Sequence, residues 1–133
     1  MKMTFLKRFA ILSLLVSLSV MLSGCGSTSV FDGSRSANEG GFQMDYAVLN
    51  REESADLYLE EGDQLEIRFA HSAGSIDASV GQEGKEPLYR GTDQKNGEFS
   101  LPISEAGTYH ISVTGHQAKG RISFLRMDRE TQE

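Results

Sequence analysis

The chain has 133 residues, 38% of them hydrophobic, with three His, one Cys, no Trp and a formal charge of −6. It is long enough for one small core but not for two domains, and its acidic balance lacks the basic stripe that neutralises phosphates, which argues against nucleic acid and lipid headgroups as ligands. A single cysteine allows no internal disulfide and no thiolate metal cluster.

In chain order, the first eight residues carry Lys2, Lys7 and Arg8 and no acid, and the stretch from Phe9 to Leu22 carries no charge. A positive start followed by about 14 apolar or small residues is too short for a comfortable membrane span, which needs about 20, and suits a secretory signal. The run ends in Leu22-Ser23-Gly24-Cys25. This tetrapeptide, directly after the apolar run, resembles the lipobox of bacterial lipoproteins. The resemblance implies that residues 1–24 are a signal peptide removed by cleavage and that Cys25 carries a thioether-linked diacylglycerol, with or without an N-acyl chain. It also implies a location on the cell membrane, facing away from the cytoplasm. Two or more acyl chains make a durable anchor. Loss of the three signal cations takes the formal charge from −6 to −9.

Residues 25–41, the Cys and then "GSTSVFDGSRSANEGG", have the Gly and Ser content of a flexible tether. From 42 to 128 a period of two recurs: Phe42, Met44, Tyr46 and Val48; Leu57 and Leu59; Leu65, Ile67 and Phe69; Ile76, Ala78 and Val80; Phe99, Leu101 and Ile103; Tyr109, Ile111 and Val113; Ile122 and Phe124. "EEGD", "SAGS", "GQEGKEP", "DQKNGE", "SEAG" and "TGHQAKG" between them read as turns. The expectation is an all-β antiparallel sandwich, jelly-roll-like, of about eight short strands, with 129–133 as a polar tail. "NREESADLYLE" reads as a loop leading into a strand, with a helical turn capped by Ser54 or Asn50 as the alternative.

"EEGDQLEIRF" and "EAGTYHISVTGHQAKGRISF" also resemble small β-sandwiches similar to pre-peptidase C-terminal domains and to small bacterial lipoproteins built on such a sandwich. There a Gly-Asp turn joins two strands and a Gly-Thr-Tyr begins the penultimate one, matching Gly62-Asp63 and Gly107-Thr108-Tyr109. The resemblance implies a fold; the accessory role beside a protease is not carried over, because no protease accompanies the domain.

Catalytic patterns are missing from the sequence: there is no GxSxG elbow and no HExxH. His110 alternates with Tyr109 and Ile111 and should face solvent with Ser112 and Thr114, while His71 and His116 fall in expected turns. No DxDxDG loop suggests calcium, and Glu52-Glu53, Glu60-Glu61 and Glu83 read as solvated charges. No catalytic residue, metal ligand or non-covalent cofactor is therefore assigned. Tyr46 and Tyr109 should point inward, leaving Tyr58 and Tyr89 as candidate sugar-stacking platforms. His116, Lys119 and Arg121 gather in "TGHQAKGR", read as a hairpin with Gly115 and Gly120 supplying its backbone angles. They form a candidate ligand or partner contact unless they pair with the protein's own acids. The expected partner is an envelope protein, reached by a membrane-anchored, non-enzymatic module; the alternative is a glycan or the cell wall.

Overall fold

A computed structural model describes residues 28–128. The expected signal peptide, Cys25 and the tail at 129–133 lie outside the described residues. The chain is all-β, in the order β1 (Val30–Asn38), β2 (Gly41–Asn50), β3 (Glu52–Leu59), β4 (Gln64–Gly81), β5 (Tyr89–Gly91), β6 (Gly97–Pro102) and β7 (Gly107–Met127).

All pairings are antiparallel, and two long strands organise them. β4 and β7 pair from Gln64↔Met127 to Gly81↔His110. On the other edge of β7, β2 takes residues 118–125 and β3 takes residues 107–114. On the other edge of β4, β6 pairs with residues 64–69 and β5 with residues 78–80. The outcome is a bent, sandwich-like sheet with two wings: β1-β2-β7-β4-β6 in the first and β3-β7-β4-β5 in the second.

The bend lies where two turns were expected. "SAGS" and "TGHQAKG" do not reverse the chain; both strands run through them, so that seven strands stand where about eight were expected. The register slips between His71 and Ala73 and again between Ala73 and Ser75, and the backbone takes a positive φ at Gly74 (70°) and at Gln117 (49°). Burial explains why the slip is needed. In β4 the buried residues are Leu65, Ile67 and Phe69, then Ile76, Ala78 and Val80; in β7 they are Tyr109, Ile111 and Val113, then Ala118, Ile122 and Phe124. Each series changes from odd to even across the bend. Side chains alternate strictly along a strand, so a bulge that absorbs the odd residue keeps both halves facing one interior. Strands that change sheet through bulges make such corners.

Residues 30–38, read as tether, form β1. Its side chains are almost all exposed, so its composition resembles a loop while its backbone completes a ladder with β2. Gly33 serves close approach here, since a Cβ would lie 2.1 Å from the Asp45 carbonyl oxygen. The loop expected around Glu52–Asp56 is likewise already strand, as part of β3.

In the interior the Phe124 ring contacts both Phe42, stacked at 6.2 Å, and Phe69, edge-on at 6.1 Å. Tyr109 is buried and donates its hydroxyl to the Glu105 carbonyl at 2.7 Å, the back-bond of a tyrosine corner. It lies at the start of the last strand rather than the penultimate one, because β7 is continuous. Asp63 closes the β3–β4 turn by accepting the Glu60 N–H and the Arg126 Nε, each at 2.8 Å. Glu53, 7% exposed, receives Arg35 of β1 at 3.2 Å and Arg51 at 2.6 Å, tying β1 across to the second wing. A buried carboxylate needs such partners.

At Gly74 the corner combines a positive φ with close approach of backbone, so it does not tolerate a side chain. At Gly74 a Cβ would meet the Gln117 carbonyl oxygen at 2.3 Å, whereas at Gly84, which also has a positive φ, it meets nothing within 4 Å. Gly84→Ala should cost about 1 kcal/mol, and Gly74→Val at least about twice that. Denaturant melts of the two variants would show the difference; equal losses would mean that the corner is not closely packed.

Candidate functional site

Because Tyr109, Ile111 and Val113 point inward, Thr108, His110, Ser112 and Thr114 of β7 face out on the second wing. Pairing places Asp56 beside His110 and Ser54 beside Ser112 on one side, and Ser79 beside Ser112 and Asp77 beside Thr114 on the other. The face is thus a shelf of hydroxyls, carboxylates and imidazole. His110 Nδ1 lies 2.8 Å from Asp56 Oδ1, and Ser112 donates to Glu52 at 3.0 Å. Above the shelf, the segment 82–88 walls a cleft of about 440 Å³ lined by Asp56, Ser79, Gln82, Lys85, Thr108 and His110.

This cleft can hydrogen-bond a polar ligand. It contains an imidazole–carboxylate pair and two hydroxyls, the parts of a hydrolytic site, but they are not assembled as one. The side chains of His110 and Asp56 are 55% and 66% exposed, where solvent screens the pair. Among the described residues no hydrogen bond joins Ser79 or Thr108 to the ring, and a general base must reach the proton it takes. No group of three His, Cys, Asp or Glu among the described residues is placed to hold a metal ion.

Tyr58 is 54% exposed on β3 and borders a second cleft, of about 580 Å³, with Asn38, Glu39, Asp56 and Arg126. Tyr89, by contrast, lies at the opposite edge of the same wing and packs on Phe99 at 5.1 Å. It is opposite Val80, whose side chain is internal, so it offers no free ring face beside Tyr58. The three residues of "TGHQAKGR" also separate. They sit along a bent strand rather than on a hairpin: His116 meets Asp77 at 2.8 Å, and Arg121 meets Asp45 at 2.9 Å. Two of the three side chains are thus engaged by the protein's own acids. Lys119 is exposed and has no ion pair among the described residues.

Sequence reasoning missed the Asp56–His110 pair and the role of Asp77. Both depend on cross-strand register over 54 and 39 residues, which no local pattern carries. Asp77 accepts the Asp93 backbone N–H at 2.9 Å and pairs with His116. The backbone hydrogen bond first and the His116 contact second hold its carboxyl below the ordinary 3.8.

No protein-family model matches the chain, and no curated protein is significantly similar to it.

The Asp77 contacts have a testable sign. A carboxyl lowered in the folded state contributes stability that is present above its unfolded value, about 3.9, and is lost as pH falls through the folded value. The difference in Tm between the parent chain and Asp77→Asn should be largest above about pH 4 and shrink as pH falls further. A difference independent of pH would show that the charge does not contribute.

Proposed function

We propose that the chain is a membrane-anchored, extracytoplasmic lipoprotein whose β domain is a non-enzymatic binding or accessory module for an envelope protein. The observation that carries this reading is Leu22-Ser23-Gly24-Cys25 at the end of an uncharged run, in a chain with no other cysteine. Lipid on Cys25 gives that residue a use, and the remaining chain then relies on packing rather than on covalent links.

The folded domain offers surfaces suited to such a role. β1 is at the margin of the first wing and, among the described residues, pairs only with β2, so one side of its backbone is available for strand addition, which requires unpaired N–H and C=O groups. Asp32, Arg35 and the bulge at Asp32/Gly33 discourage indiscriminate pairing. The polar shelf of Ser54, Asp56, His110, Ser112 and Ser79 is suited to a rim of hydrogen bonds. A second reading, a glycan or cell-wall binding module, is favoured by one observation: Tyr58 exposes its ring beside a cleft with an amide, carboxylates and a guanidinium, the mixture that holds a sugar face and its hydroxyls.

In-cell crosslinking of the anchored protein, followed by mass spectrometry against a Cys25→Ala control, distinguishes the two. The first reading predicts one dominant protein partner that is depleted at least about tenfold when anchoring is lost, as expected when tethering raises effective concentration. Recovery of wall glycan instead, abolished by Tyr58→Ala, contradicts it and supports the second.

A further inference from the structure

Resting on the reading that Cys25 is lipidated, we propose that the bent corner of the domain is a second membrane contact. Its surface around Val48, Phe31, Arg51 and Lys119 rests on phospholipid headgroups and holds the domain upright, with the opposite pole directed away from the bilayer.

The first support is the length of the connection. Asn50 Nδ2 donates to the Thr28 carbonyl at 2.9 Å, and its Oδ1 accepts the Gln117 N–H at 3.0 Å. One side chain thus ties the incoming chain to the corner of β7. Only residues 26 and 27 separate Thr28 from Cys25, and three Cα steps span at most about 11 Å. The tether read from composition would have let the domain swing freely. With β1 folded, the corner lies within reach of the headgroups.

The corner surface suits that position. Pairing of β2 with β7 is interrupted between Tyr46 and Leu49, and Val48 stands out there, 38% exposed. The Arg51 guanidinium lies 5.5 Å over the Phe31 ring, and Lys119 is unpaired among the described residues. An exposed valine, a half-buried aromatic ring and the exposed Lys119 match an interfacial surface, where the stem lies against the acyl boundary and the charge reaches headgroups, while Arg51 stays bound to Glu53. Of the acids at this end, Asp45, Glu53 and Asp93 face Arg121, Arg35 with Arg51, and Lys95. Asp32, Glu52 and Asp77 have no Lys or Arg partner among the described residues, and Lys119 stands against them.

The second support is the other pole. The turns at 39–40, 60–63, 82–87 and 103–106 all lie at the far end of the strands. They place Glu39, Glu60, Glu61, Glu83, Glu86 and Glu105 there, against Lys85 and Arg126. β1 alone rises about 27 Å from Val30 to Asn38, whereas a bilayer's surface potential decays over about 8 Å at physiological salt. Upright, the acidic pole escapes the negative potential of anionic lipid; lying down, it enters it. A net acidic domain therefore approaches the membrane by the end where cations nearly balance its acids.

The test uses the full, lipid-processed chain in vesicles of phosphatidylethanolamine and phosphatidylglycerol that carry a headgroup quencher. Single labels are placed at the corner by Ser72→Cys and at the far pole by Glu61→Cys, and flotation with the vesicles is read in the same samples. The proposal predicts quenching at Ser72→Cys at least about threefold that at Glu61→Cys, given the separation of the poles, and a smaller ratio when Val48→Asp is added. Flotation with equal quenching at both sites overturns the orientation and leaves the anchor standing. Failure to float overturns the anchor and this inference together.

Discussion

Everything in this fold is hung on one ladder, the pairing of β4 with β7 from Gln64↔Met127 to Gly81↔His110. The other strands add to its edges: β2 and β3 on β7, β5 and β6 on β4, and β1 on β2. Because the ladder bends rather than ends at the corner, one pair of strands supplies the centre of both wings. The corner must then do two things at once. It must absorb one residue in each strand so that the apolar series stay internal, and it must let the two backbones approach closely. Gly74 meets the second demand at Gln117, and the register slips on either side of Ala73 meet the first.

Closure away from the ladder also uses charged groups. Glu53 is buried, and its two arginines come from β1 and from the β2–β3 connection, so the outer strand of one wing is fastened to the outer strand of the other. Arg35 also donates to the Ser54 carbonyl at 2.7 Å and lies 5.1 Å over the Phe42 ring. Asp63 plays a comparable part at the opposite pole, holding the β3–β4 turn and Arg126. Removing one member of such a group strands a buried charge, which costs more than the pair contributes in net stability.

The all-β class and most of the core were legible in the sequence, because alternation of period two is set by the strand itself. Phe42, Leu65, Ile67, Ile111, Ile122 and Phe124 are internal as that alternation requires. Three features were not legible. β1 is polar on both sides, so its composition matched a tether. The corner uses the same residues as a reverse turn, Gly with Ser, His and Lys, and only long-range pairing decides between reversal and bending. The polar shelf of the second wing needs the register of β3 on β7, set by contacts far apart in the chain. Tyr58 was placed correctly outward by its neighbours Leu57 and Leu59. Tyr89, on a three-residue strand without alternation of its own, was not.

Together these features describe a small acidic domain with its chain entry at one pole and its larger net negative charge at the other, a layout that gives a lipid anchor a definite geometric consequence. The central claim is the anchor. Intact-mass and N-terminal peptide analysis of the mature protein extracted from bacterial membranes tests it most directly. The account predicts a chain beginning at Cys25 with a diacylglyceryl thioether on that residue. A mature chain that retains residues before Cys25, or that carries the cysteine as a free thiol, would contradict it.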